Sequence, residues 1–381
     1  MRRSTLRAAI AVVTAGLTLT ACGSDDGGSG GDGGGSDAAT ATSAEDLGGM
    51  DALIKAAQEE GTLNVIALPP SWANYEEMLS TFSDKYDIEI SSANPDGSSQ
   101  DELDAVTSQK GQDRAPDVLD VGTSFAKQAA AQDLLAPYKV ETWDDIPDNQ
   151  KDADGLWYND YGGFISIGCN ASVVAKCPTS MAELLDPQYK GQVSLNGDPT
   201  QAAAAFSGVW AAALSNGGSL DDIGPGIDFF VDVKNAGNFN PVEVTPATVQ
   251  SGETPLAIDW DYVNAGLTKT LGDQGVEWQV NVPSDGVFGS FYSQAISKFA
   301  PHPAAARLWQ EFLYSDEGQN IWLKGLSRPV RLPAMQDAGT ADEAALKALP
   351  EVDASVEFPT DEQQTAAQKV VADRWNSEMS G

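Results

Sequence analysis

The stretch Gly61–Ala93, "GTLNVIALPPSWANYEEMLSTFSDKYDIEISSA", decides the fold. Its opening "TLNVIAL" is a short β-rich run and reads as a strand. "YEEMLSTFSDKY" then places Met78, Leu79 and Phe82 at helical spacing, and "DIEISSA" returns as a second strand. Strand, amphipathic helix and strand in close succession is the building unit of an α/β lobe.

The same alternation continues outward. "ELDAVTSQK" suits a helix, "APDVLDVG" a buried strand, and "SFAKQAAAQDLL" a helix starting at a Thr123 or Ser124 cap. Loops at the ends of such strands are where α/β proteins bind ligands, so Trp72, Tyr75, Thr123 and Ser124 become candidate site residues. Further on, "YGGFISIGCNASVV" reads as a crossover into a second lobe, its glycines permitting a bend before an apolar strand. "QVSL" is a strand, "NGDPT" a turn, and Thr200 onward a helix. Asp198 stands near that helix start, where a carboxylate either caps the helix or reads ligand charge. "GIDFFVDVK" is a further helix and "NFNPVEV" a connection or strand.

In "TPLAIDWDYVNAG", an apolar strand stops at Asp259, Trp260, Asp261 and Tyr262. If the chain stays extended, period two puts the aspartates on one side and the aromatic rings on the other. If it turns helical at Asp261, an aspartate simply caps "YVNAGLTKTL". The functional reading is that one acid neutralises a cationic group while an aromatic face stacks on it.

At the amino end, Arg2, Arg3 and Arg7 precede an apolar run from Ala8 to Leu19, a signal peptide (1–21) too short to span a bilayer. "LTAC" closes on Cys22 and resembles a bacterial lipobox, whose cysteine receives lipid once the peptide is removed. Residues 23–44 are Gly/Ser-rich and too poor in apolar groups to fold, so a flexible tether (22–48) is expected. The roughly 330 residues from Asp46 onward exceed the usual size of one core, so two lobes are expected. Cys169 and Cys177 either close a short loop worth roughly 2–3 kcal/mol or remain two buried thiols. With 22 basic against 56 acidic residues, the net charge of −34 argues against nucleic acid as a partner. Such a surface draws cations over long range, although acidity also serves solubility alone.

Taken together, these pieces resemble the extracellular solute-binding lipoproteins of bacterial ABC importers, in particular the group of spermidine/putrescine and ferric-ion binders. The resemblance rests on the lipobox, "PSWANY", "APDVLDVG" with "LLAPY", "ELLDPQYKGQVSL" and "HPAAARLWQEFLYSDEGQ". In the last of these, Leu308, Trp309, Phe312 and Leu313 form an apolar helix face and Ser315 caps the next helix. It implies an α/β, two-lobed, type II periplasmic-binding-protein-like fold, each lobe a mixed sheet flanked by helices. Lobe 1 is expected over 49–164 and 290–345, lobe 2 over 165–289, and a C-terminal helical segment over 346–381. The lobes would close on a solute and hand it to a membrane permease, the protein being a monomer held outside the cell membrane by its lipid, without cofactor, catalytic residue or metal.

By the same resemblance, Trp72 and Tyr75 match an aromatic box of the polyamine binders, Asp198 an amine-reading acid and Trp260 a pocket tryptophan. The second acid expected there is Gln201, and the later aromatic-and-aspartate element is replaced by "GSFYSQ". The ferric binders carry adjacent tyrosines at the strand end, of which only Tyr262 is kept; an aspartate, Tyr262 and Tyr292 supply the hard oxygens that iron prefers. A small organic cation is the leading ligand and ferric iron the alternative. A hydrolase finds no support: His302 is the single histidine, and no G-x-S-x-G occurs. A surface adhesion or scaffolding protein is the remaining alternative.

Overall fold

A computed structural model describes residues 38–349, Val352 and residues 358–380. The expected signal peptide, the Cys22 lipidation site and most of the tether lie outside the described residues. Contacts divide the chain after Gly33, and all the described residues fall in the second unit.

The strands are β1 (Thr62–Ile66), β2 (Glu89–Ala93), β3 (Val118–Gly122), β4 (Leu135–Ala136), β5 (Tyr158–Asn170), β6 (Val193–Leu195), β7 (Leu256–Trp260), β8 (Trp278–Asn281), β9 (Gly289–Ser297) and β10 (Arg328–Pro329). Between them run α1 (Met50–Glu60), α2 (Tyr75–Tyr86), α3 (Ser99–Ser108), α4 (Thr123–Ala131), α5 (Ala203–Ser215), α6 (Gly224–Asn235), α7 (Pro246–Ser251), α8 (Asp261–Gly272), α9 (Pro303–Leu313) and α10 (Asp316–Lys324). Helices α11 (Leu332–Ala338), α12 (Glu343–Ala348) and α13 (Asp361–Met379) complete the chain.

The opening stretch folds as its pattern requires. Strands β1 and β2 pair in parallel, and α2, the helix between them, buries Met78 and Phe82. The larger mixed sheet has the order β3-β9-β5-β7-β6, with β4 on β9 and both β8 and β10 on β5. Strand β5 is central to it and buried throughout. Its first half, through Phe164, pairs with β9 and β10; its second half, from Ile165, pairs with β7 and β8. The boundaries expected at 164/165 and 289/290 therefore fall inside β5 and at the start of β9.

Gly162 and Gly163 were expected to bend the chain before a strand. They lie inside β5 instead, where the reason for glycine is close approach. A Cβ on Gly162 would meet Ser290 O at 2.5 Å, and one on Gly163 would meet Asp261 Oδ1 at 2.3 Å. Helix α4 begins at Thr123 with Gly122 as its N-cap and no side-chain cap, so neither Thr123 nor Ser124 caps it.

The helix pair α9 and α10 behaves as read. Leu308, Trp309, Phe312 and Leu313 are buried, Trp309 meets Phe82 edge-on at 5.0 Å, and Ser315 Oγ accepts from Gly318 N. The tether ends earlier than its composition suggested. Ala38, Ala41 and Ala44 are buried, and the buried Arg307 donates to the carbonyls of Ala39 and Ala41, tying this segment to α9. Three small alanines at regular spacing pack closely, which a count of apolar bulk does not register. Cys169 and Cys177 form a disulfide with a Cα–Cα separation of 5.8 Å. Among the described residues no helix is long and apolar enough to cross a membrane.

Candidate functional site

A cavity of about 190 Å³ opens where the middle of β3 and the ends of β7 and β6 meet the loop after β1. Asp120 and Glu102 line it from one side, Asp259 and Asn196 from the other, with Trp72 and Tyr292 as its aromatic wall. The exposed Asp96 and Glu243 also line it, and among the described residues no Lys, Arg or His does. Five carboxylates around one small space, without a cation, is an unusual electrostatic arrangement, because buried charges are ordinarily paired.

Asp120 sits in the middle of β3, whose residues are all buried. Its Oδ2 accepts from Tyr75 Oη at 2.6 Å and Tyr161 Oη at 2.8 Å, its backbone N donates to Glu102 Oε2, and Oδ1 has no donor. Burial raises the Asp120 carboxyl to about 6, opposed by hydrogen bonds from the two tyrosines and from the neighbouring Asp160 carboxyl. Burial, and then the charge of Asp120, pushes Asp160 well above the usual carboxylate range, so the two acids hold one proton between them in the empty cleft. Gln294 Nε2 donates to Asp160 Oδ2 at 2.9 Å and fixes that second carboxyl. Burial first, and Asp120 second, also raises Glu102.

Asp259 ends β7. Its Oδ1 accepts from Trp260 N and its Oδ2 from Asn196 Nδ2, both at 2.7 Å, and burial raises it to about 7 against those two bonds. Asp261 has another fate. Helix α8 begins there, and its carboxyl accepts from Phe164 N, Tyr262 N and Arg328 Nη1 at 2.8 Å in the last case. It is therefore the anchor that joins α8, β5 and β10, and it does not line the cavity.

The remaining candidates separate in the same way. Trp72 and Tyr292 line the cavity, and Trp72 Nε1 donates to Tyr161 Oη at 2.9 Å. Tyr75, Trp260 and Tyr262 are buried behind it, where Trp260 and Tyr262 stack with centroids 6.2 Å apart and Tyr262 meets Trp72 edge-on at 5.9 Å. Thr123 and Ser124 line, together with Trp260, a separate, much smaller cavity of about 20 Å³, and Thr123 also lines a larger one of about 630 Å³; Thr123 Oγ1 accepts from Ser293 Oγ. Asp198 is spent locally: its Oδ1 accepts from Thr200 N and Thr200 Oγ1, shaping the turn before α5.

Sequence reading did not single out Asp120, Glu102, Asp160 or Asn196. Asp120 had a visible signal, since an acid inside the apolar run "DVLDVG" is costly unless something requires it. Asn196 immediately follows β6, a strand-end position of the kind that bears ligands.

Residues 113–354 match the family described as bacterial extracellular solute-binding protein. This chain belongs to that family. The solute-binding protein is accordingly the extracytoplasmic, non-enzymatic component of an ABC importer, which captures a small solute and delivers it to a permease. Among solved structures, AfuA from Actinobacillus pleuropneumoniae with exogenous fructose-6-phosphate bound is similar at TM-score 0.64 and 22% identity, covering 83% of this chain and 98% of that one. Iron-bound HitA from Pseudomonas aeruginosa gives 0.59 and 21% over 82% and 98%. AgtB from A. tumefaciens R10 in complex with agropinic acid gives 0.65 and 17% over 84% and 99%. These likenesses establish the type II periplasmic binding fold and leave the solute open. No curated protein matches the chain.

Proposed function

We propose that the solute-binding protein captures a small organic cation, an amine-bearing solute of the polyamine kind. The observation that carries this reading is the pair of buried carboxylates, Asp120 and Asp259, facing one cavity that, among the described residues, no basic side chain lines. A bound ammonium replaces the proton held between Asp120 and Asp160 and receives charge-assisted hydrogen bonds in a site shielded from water. The Trp72 and Tyr292 rings offer π faces to the same charge, a contribution of about 1–2 kcal/mol when desolvated. The net charge of −34 favours the approach of cations from solution.

Ferric iron is the second reading, with Asp120, Asp259 and Tyr292 as hard oxygen donors at the same cavity. It asks more of the protein. Burial pushes the Tyr292 phenol well above its usual range, and Tyr262, the other tyrosine expected in an iron set, does not line the cavity. Cys22 is read as the lipid anchor that holds a monomeric protein at the membrane; Cys22→Ser is expected to release it into the medium.

The test is thermal unfolding of the solute-stripped protein against polyamines, other organic cations, ferric citrate, phosphonates and sugars. A ligand at 100 times its Kd adds about 2.7 kcal/mol of stability. A rise with amines that is lost in Asp120→Asn supports the cation. A rise with ferric salts alone, accompanied by tyrosinate colour, moves the assignment to iron.

A further inference from the structure

Three helices begin at the cavity. Ser98 and Ser99 bring the start of α3, Ala202 to Ala204 the start of α5, and Thr245 with Pro246 the start of α7. Two of these starts are closed. Ser98 and Asp101 form a reciprocal capping box on α3, and Thr245 and Thr248 form one on α7, where Pro246 also removes a donor.

Helix α5 is the exception. Its N-cap is Ala202, which has no side-chain acceptor, and its first turn contains no acid. Asp198, the carboxylate nearest in sequence, is occupied by Thr200. The amides of Ala203 and Ala204 lie beyond the reach of the helix's own carbonyls, and these residues are buried, at 7% and 3% exposure, so water compensates them poorly. A helix of 13 residues concentrates about half a positive charge at that end.

A second observation points to a ligand in the same space. Asp120 is 6% exposed, lines this cavity, and its Oδ1 has no hydrogen-bond partner. The two features are close neighbours. Gly122, two residues beyond Asp120 on β3, packs so tightly on the first turn of α5 that a Cβ there would fall 2.4 Å from Ala203 Cβ. One small cavity thus offers an acceptor for a cation and a set of donors for an anion.

We infer that the solute is a zwitterion, its ammonium group facing Asp120 and Asp259 and its carboxylate meeting the open first turn of α5. This inference rests on the cation reading above and narrows it from amines in general to amino acids, those with separated charged groups included. The donors of α5 are then satisfied by the ligand, and the ligand's two charges cancel inside the closed cleft.

The experiment is calorimetric titration of the purified full chain, stripped of solute. The probes are ω-amino acids of two to six carbons, the primary monoamines and the α,ω-diamines of matching carbon count. At least one amino acid is expected to bind about 10-fold or more tightly than its monoamine and diamine counterparts. A diamine that equals or exceeds every amino acid overturns the zwitterion and leaves the cation reading standing; no binding by any amine-bearing probe overturns both. In Ala202→Asp, a side-chain cap and a negative charge enter the start of α5, which preserves or raises its stability. That variant is expected to lose the preference for the amino acid over its monoamine counterpart. An unchanged preference overturns the assignment of α5.

Discussion

Asp259 and Asp261 are separated by one residue, and both carboxyls are buried, yet they belong to two different regions. Asp261 lies in a seam of acids that bring their own bases: Arg328 meets it at 2.8 Å, and nearby Arg331 binds Asp145 and Asp316 at 2.6 and 3.0 Å. Asp259 lies in the cavity wall with Asp120 and Glu102, where none of the described residues supplies a base. The seam acids hold strands and helices together, and the burial of Asp261, like that of Arg331, is offset by a partner within the protein. The cavity acids keep an uncompensated cost, which a cation from outside can remove. The difference shows which acids belong to the fold and which await a solute, although they share a strand end.

That distinction can be broken by exchanging the partners. The largest effect is expected in Arg328→Ala, which leaves Asp261 buried without its guanidinium and removes the cation packed over Phe164 at 4.7 Å. The loss is about 3–5 kcal/mol of stability by denaturant titration, with partial recovery when Asp261→Asn is added. A loss below 1 kcal/mol would place Asp261 with the cavity acids. Next comes Asp120→Asn, which is expected to weaken amine binding roughly 30- to 100-fold while leaving the empty protein as stable or more so. A strong fall in melting temperature without ligand would assign Asp120 to the seam.

The third effect is one of pH. Asp259 and Asp120 titrate at about 7 and about 6 in the folded chain, above the 3.8 from which burial raised them. The folded protein therefore holds these protons more tightly than the unfolded chain. The stability they confer is full below about pH 4 and is lost as pH rises through 6 and 7. Glu311, raised by burial to about 7, adds to the same window, so Asp259→Asn should flatten the pH dependence of the empty protein without abolishing it. Cation affinity runs the other way, falling roughly tenfold per pH unit for each proton taken up as pH drops below 6. A pH-independent affinity would separate the solute from both acids. The smallest effect is expected at the exposed Lys85–Glu317 pair, where Lys85→Ala should change stability by less than about 1 kcal/mol.

Much of the fold was legible because its code is local. The strand and helix between Gly61 and Tyr86 follow from period and apolar spacing, and the Ser315 cap follows from its side chain and the acids after it. The site was legible only in part. Trp72 and Asp259, taken from strand ends, line the cavity, and so does Tyr292, taken from the resemblance and lying inside β9, whereas Asp261, Tyr262 and Tyr75 point into the protein. Period two cannot settle this, because β7 ends at Trp260 and α8 turns the next side chain by a helical step. Asp120 escaped notice since a buried strand leaves no sign of which side chain faces a cavity formed by residues far along the chain. The bend expected at Gly162 and Gly163 failed for a related reason: their smallness answers to Ser290 and Asp261, more than 90 positions away.

Strand β5 has a consequence for how this protein can be taken apart. One run of 13 buried residues serves as the inner strand for both halves of the sheet. Neither half is a portable module, because any cut between them bares a row of backbone donors and acceptors that water, or another chain, would have to cover. Grafting one binding wall onto a relative, or expressing a half as a fragment, exchanges a ligand problem for an aggregation problem. New specificity in this scaffold is more accessible through side chains at the strand ends than through recombination of its halves.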